Sequence, residues 1–68
     1  MSADEWGRLM TEHDKHACAV REAKMRRRVY PRWVAQGRMT QEQAEREIAT
    51  MEAIAEDYRK IVWGERLI

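Results

Sequence analysis

His13 and His16 stand three residues apart, with Asp14 between them and Glu12 four residues before His16. On one helix that spacing would offer two imidazoles and a carboxylate to a metal ion, much as Glu-x-x-His pairs do in di-metal bundles. Such centres also draw carboxylates from facing helices. Here the second half of the chain has no histidine, and its carboxylates fall outside its apolar seam. No metal site is expected, and both histidines are read as solvated, one of them half-buried. Cys18 is the only cysteine. With two nearby histidines it assembles no nucleophile, base and orienting group, and it is read as a small buried apolar residue. There is no glycine-rich phosphate loop, and a chain of 68 residues leaves little room for the roughly 300 Å³ or more that a small-molecule pocket needs. The chain is read as non-enzymatic and without a cofactor.

A second kind of chemistry is better represented. Arg21, Lys24, Arg28 and Arg32 are spaced three, four and four residues apart, with Arg26 and Arg27 flanking them. On a continuous helix the first set shares a face. Tyr30, Trp33 and Val34 stand among these arginines, and aromatics interleaved with arginine are enriched at binding hot spots. Two readings stand. In one, Arg26, Arg27, Arg28 and Arg32 contact an acidic partner or nucleic acid, with Tyr30 and Trp33 as anchors. In the other, the basic run pairs with Glu45, Glu52 and Glu56 of the second half, and Trp33 plugs the end of the molecule. The net charge of +1 favours an acidic protein over nucleic acid, whose binders carry a clear positive excess. Nucleic acid remains the alternative partner.

These residues need helices to position them, and the sequence is all-α. Ser2 with Glu5 reads as a capping box, opening a helix over about residues 3–29 with apolar positions at Trp6, Leu9, Met10, Ala17, Val20, Ala23, Met25 and Val29. Its stripe turns ragged after Val20. Pro31 disfavours helical geometry at Tyr30 and removes a donor, so a kinked corner is expected there, followed by a short helical turn over about 31–36 and a stop at Gly37. Thr40 and Gln43 form a second box, opening a helix over about 41–63 that Gly64 ends. Its apolar positions Ala44, Ile48, Met51, Ala55, Tyr58 and Val62 make an unbroken heptad seam, widened on one side by Ile54 and Ile61. The expected architecture is a helical hairpin with its termini together, so that Trp6 and Trp63 close one end and Trp63 clusters with Leu67 and Ile68.

A single copy is short of core. A chain this small buries only about 60% of the surface that its unfolded form exposes. One cysteine forms no internal disulfide, so oligomerisation is the remaining staple. Two hairpins paired as a dimeric four-helix unit would cover the widened seam, and a homodimer is expected. Residues 1–38 hold nine Lys/Arg against five Asp/Glu, and residues 39–68 hold four against seven. The halves are therefore electrostatic complements. The lone cysteine and the polar start, Met1-Ser2-Ala3-Asp4-Glu5, fit a cytoplasmic setting, and no stretch approaches the ~18 apolar residues of a membrane span.

The segment from Met25-Arg-Arg-Arg-Val-Tyr-Pro-Arg-Trp-Val-Ala-Gln-Gly-Arg-Met-Thr-Gln-Glu-Gln through Tyr58 resembles a family of small, mostly uncharacterised helical proteins encoded by phages and prophages of proteobacteria. It covers about half of the chain and omits the first 20 residues. The resemblance implies a phage accessory role in the bacterial host cell. Proteins of that kind bind host proteins and block or redirect them, with defence complexes, transcription regulators and motility machinery as typical targets.

Overall fold

The computed structural model describes residues 1–64. They form three helices, α1 (Ala3–Leu9), α2 (Glu12–Ala35) and α3 (Gln41–Val62), and among the described residues there is no strand. Leu67 and Ile68, expected to join Trp63, lie outside the described residues.

The chain opens as its sequence requires. The Ser2 hydroxyl accepts from the Glu5 amide at 3.3 Å, and the Glu5 carboxylate accepts from the Ser2 amide at 2.9 Å. The helix expected over residues 3–29 is nevertheless two helices. Met10 turns extended, with ψ 128°, and Thr11 starts afresh. Its hydroxyl accepts from the Asp14 amide at 3.1 Å, while the Asp14 carboxylate accepts from the Thr11 amide and hydroxyl, both at 2.9 Å. This reciprocal box satisfies two N-terminal donors at once, which makes a new helix start at Thr11 competitive with continuation.

The other end of the expected boundary also moves. α2 does not stop at residue 29 and restart after Pro31; it runs through Pro31 to Ala35. Proline removes one donor, its own, and clashes with the carbonyl four residues back. The ladder resumes beyond it, with the Gln36 amide donating to Arg32 at 3.0 Å. Tyr30, buried, and Trp33, half-buried, flank the proline in sequence, and their rings stack at 5.3 Å. The helix then ends in a Schellman turn. The Arg38 amide donates to Trp33 at 2.8 Å, the Gly37 amide donates to Val34 at 3.0 Å, and Gly37 takes φ +73°. Thr40 caps α3 through the expected box with Gln43, and Gly64 follows its end at φ +63°.

α2 and α3 lie side by side and antiparallel. His13 meets Trp63 edge-on, Lys15 sits over the Tyr58 ring, and Arg27 pairs with Glu52. On α3, all six seam residues named from the sequence are buried or half-buried. The facing seam of α2 runs through His16, Ala19, Ala23, Arg26, Tyr30 and Trp33, each buried or half-buried and alternating three and four apart. Its small members let α3 approach closely. Among the described residues the buried set is Ala19, Ala23, Tyr30 and Ala44 alone.

Two expectations fail here. Cys18 is exposed, not buried, because Ala19 takes the seam position beside it. Trp6 and Trp63 do not close one end together. α1 packs against neither α2 nor α3, since the break at Met10 carries it away, and Trp6 is 53% exposed. The molecule is consequently a flat layer, 43 × 39 × 14 Å, one helix thick.

Candidate interaction surface

The basic run divides into two sets with different surroundings. Arg26 and Arg27 serve the fold. Arg26 Nε donates to Glu22 at 3.0 Å and its Nη1 donates to the backbone carbonyl of Glu47 at 2.9 Å, tying α2 to α3. Its guanidinium also stands 5.8 Å from the Tyr30 ring centre. Arg27 forks onto Glu52, with Nε on one carboxylate oxygen and Nη2 on the other, the latter at 2.8 Å. Those hydrogen bonds, with the charge behind them, hold the Glu52 carboxyl below its ordinary range and push the Arg27 guanidinium up. Of the three glutamates expected to face the basic run, Glu52 does so through Arg27. Glu56 instead accepts from Arg59 of its own helix at 2.7 and 2.9 Å and is also held low.

The aromatics are also engaged. Tyr30 is buried, Trp33 is half-buried, and their rings stack at 5.3 Å. Arg38, from the loop, lies 4.9 Å from the Trp33 ring centre. Arg26, Tyr30, Trp33 and Arg38 thus form a continuous cation–aromatic stack that closes the loop end of the α2–α3 pair. The buried ring of Tyr30 has little surface to present.

The other set is Arg21, Lys24, Arg28 and Arg32. All four are exposed, and none has an ion pair or hydrogen bond from its side chain among the described residues. Because α2 continues through Pro31, Arg32 keeps its register. At 100° per residue the four fall within about 80° of arc and extend about 16 Å along the helix. Arg21, Arg28 and Arg32 lie on the side of α2 away from its seam, and Lys24 also borders the groove that holds Glu52 and Glu56. This stripe is an uncompensated cationic ridge on a rigid element, suited to carboxylates or phosphates.

The residues that invited a metal reading are kept apart. His13 stacks edge-on against Trp63 at 6.3 Å, His16 faces α3 in the groove that also holds Glu52 and Glu56, and Asp14 is held low by the Thr11 backbone and hydroxyl. Among the described residues no group of three His, Cys, Asp or Glu comes together as ion ligands.

Of the sequence-named contact residues, Arg28 and Arg32 remain outward, while Arg26, Arg27, Tyr30 and Trp33 hold the fold. Arg21 and Lys24 join the outward pair, and the three-four-four spacing is the signal that finds them. Ile54 and Ile61, the widening side of the α3 seam, are 40% and 58% exposed. No helix among the described residues is long and apolar enough to cross a membrane. No protein-family model, curated protein or solved structure matches the chain.

Proposed function

We propose that this chain is a small non-enzymatic binding protein, a phage accessory factor that captures an acidic host protein and inhibits or redirects it. It works as a homodimer of α2–α3 hairpins paired into a four-helix unit, in the bacterial cytoplasm. The observation that carries this reading is the stripe of Arg21, Lys24, Arg28 and Arg32, four exposed cations in helical register with no partner of their own. Charge left uncompensated on a rigid helix accelerates encounter with an oppositely charged surface and fixes the orientation of docking. The dimeric part is supported by the burial pattern. Three alanines and one tyrosine are a thin interior for a stable single copy.

The test spares the arginines that hold α3. Arg28→Glu and Arg32→Glu together leave Arg26 and Arg27 in place, so helicity should match the parent. Affinity capture from a proteobacterial lysate should retain acidic proteins on the parent and lose them on the variant. Identical captured sets would remove the stripe from the function. Binding of duplex or single-stranded nucleic acid at low salt, weakening steeply as salt rises, would transfer the stripe to phosphate recognition.

A further inference from the structure

The α2–α3 layer has a second groove, on a different side from the cationic stripe. It is open, about 490 Å³, and Met10, Cys18, Ala19, Met51, Ile54 and Tyr58 make it apolar. Ile61 lies one heptad beyond Ile54 and continues the same face of α3. Lys15 and Glu22 stand on its α2 rim, with side chains 43% and 39% exposed. A layer one helix thick, 14 Å, leaves this apolar face without the second layer that stable domains stack against.

We propose that this face binds a second copy of the chain across a two-fold axis that crosses α2 between Cys18 and Ala19, stacking α2 on α2 and α3 on α3 in antiparallel pairs. The proposal rests on the homodimer reading above and fixes which surface makes it. The position of the axis comes from charge. An antiparallel two-fold between residues 18 and 19 sets Lys15 opposite the partner's Glu22, twice by symmetry. Shifting the axis one turn to Glu22 would set that carboxylate against its own copy, which is repulsive.

The same axis answers a second requirement that played no part in choosing it. The cross-helix contacts His13–Trp63, Lys15–Tyr58, Arg26–Glu47 and Arg27–Glu52, taken together, set the Cys18–Ala19 step about level with residues 56–58 of α3. A two-fold at that level brings Ile54 onto the partner's Ile61, again twice. The two large aliphatic side chains that α3 leaves exposed would therefore cover each other. The cationic stripe lies roughly a third of a turn around α2 from this face and stays open. The two loop ends point away from each other, so the dimer presents one stripe toward each end and can engage its target bivalently.

Sedimentation equilibrium and short-span cross-linking of the full chain test this. Lys15→Glu and Glu22→Lys should each weaken dimerisation by about tenfold or more, and the double exchange should restore it. Cys18 sits beside its symmetry mate, so a bis-maleimide spanning about 8 Å should give a covalent dimer that Cys18→Ser abolishes; the reach follows from helix axes packing 8–10 Å apart. Glu22→Lys also removes the contact to Arg26. Lys15→Glu likewise removes the contacts to Glu12 and Tyr58, so if circular dichroism shows lost helix in either variant, the Cys18 cross-link decides the matter. A dimer indifferent to the charge exchanges and silent at Cys18 overturns this interface and leaves the homodimer reading standing. A parent chain that sediments as a monomer at hundreds of micromolar overturns both.

Discussion

Arg27 on α2 and Glu52 on α3 are joined through two of the three guanidinium nitrogens and both carboxylate oxygens, a fork that spans the seam between the two long helices. Glu52 is thereby held below the ordinary glutamate range, as is Glu56 by Arg59. A carboxylate whose folded pKa is lowered binds fewer protons folded than unfolded, so stability rises with pH through that range. The contribution is fully present above the ordinary carboxylate value of about 4 and is lost as pH falls through the lowered folded values. Thermal unfolding followed by circular dichroism should be flat from neutral pH to about 5 and fall below about 4. Glu52→Gln should shallow that fall by as much as it lowers stability near neutrality, and both changes should be small because the pair is solvent-exposed. An unchanged acid slope in the variant would show that the fork contributes nothing to folding.

Pro31 sits inside α2 with a full turn of helix beyond it. An interior proline costs about 3 kcal/mol relative to alanine. Pro31→Ala restores a donor for the Arg27 carbonyl and removes the ring clash. It should raise the unfolding free energy by about 1–3 kcal/mol, read from urea titration with an unchanged m-value. A loss of stability would show that the proline sets a bend on which the loop-end stack depends.

The two long helices differed in how much of their packing the sequence displayed. α3 carried its seam openly, because Ala44, Ile48, Met51, Ala55, Tyr58 and Val62 are apolar at every heptad position. The α2 seam was hidden. Its inward positions include His16, Ala19, Ala23 and Arg26, of which two are small and two polar. Arg26 is half-buried along its stem with its head on Glu22 and the Glu47 carbonyl, the snorkelling that makes a charged residue look misplaced in a core pattern. The break at Thr11 was legible in principle, since Thr11-x-x-Asp14 is a shortened capping box, but the run of good helix formers on both sides masked it. At Pro31 local propensity pointed to an end, and tertiary packing overrode it. The cationic stripe was readable from spacing alone. Which arginines it excludes was not, because that depends on where Glu52 and the Glu47 carbonyl lie on α3.

Gly37 permits a clean measurement of backbone strain. It holds φ +73°, and a Cβ built there would meet nothing within 4 Å. Any cost of Gly37→Ala is therefore conformational rather than steric crowding by neighbours. The expected loss is about 1–2 kcal/mol, with Gly37→Asn losing less because asparagine tolerates the left-handed region. Equal losses for alanine and asparagine in denaturant titrations would mean that the Schellman turn does not need this conformation.

Ala23 lies at the middle of the α2 seam and is 7% exposed, and Ala44 on α3 is 3% exposed. Alanines at these positions set how closely the helices approach, and the Arg26 bond to the Glu47 carbonyl at 2.9 Å requires that closeness. Ala23→Leu adds three carbons at a nearly buried seam position, and overpacking of this kind costs about 1–3 kcal/mol. The variant should also lose protection of the α3 amides in hydrogen exchange, since pushing the helices apart breaks Arg26 from α3 as well as Arg27 from Glu52. Ala23→Ser keeps the volume nearly constant and should be far milder. If leucine at this position stabilises the chain instead, the seam has slack and the close approach of α2 and α3 is not what holds the pair together.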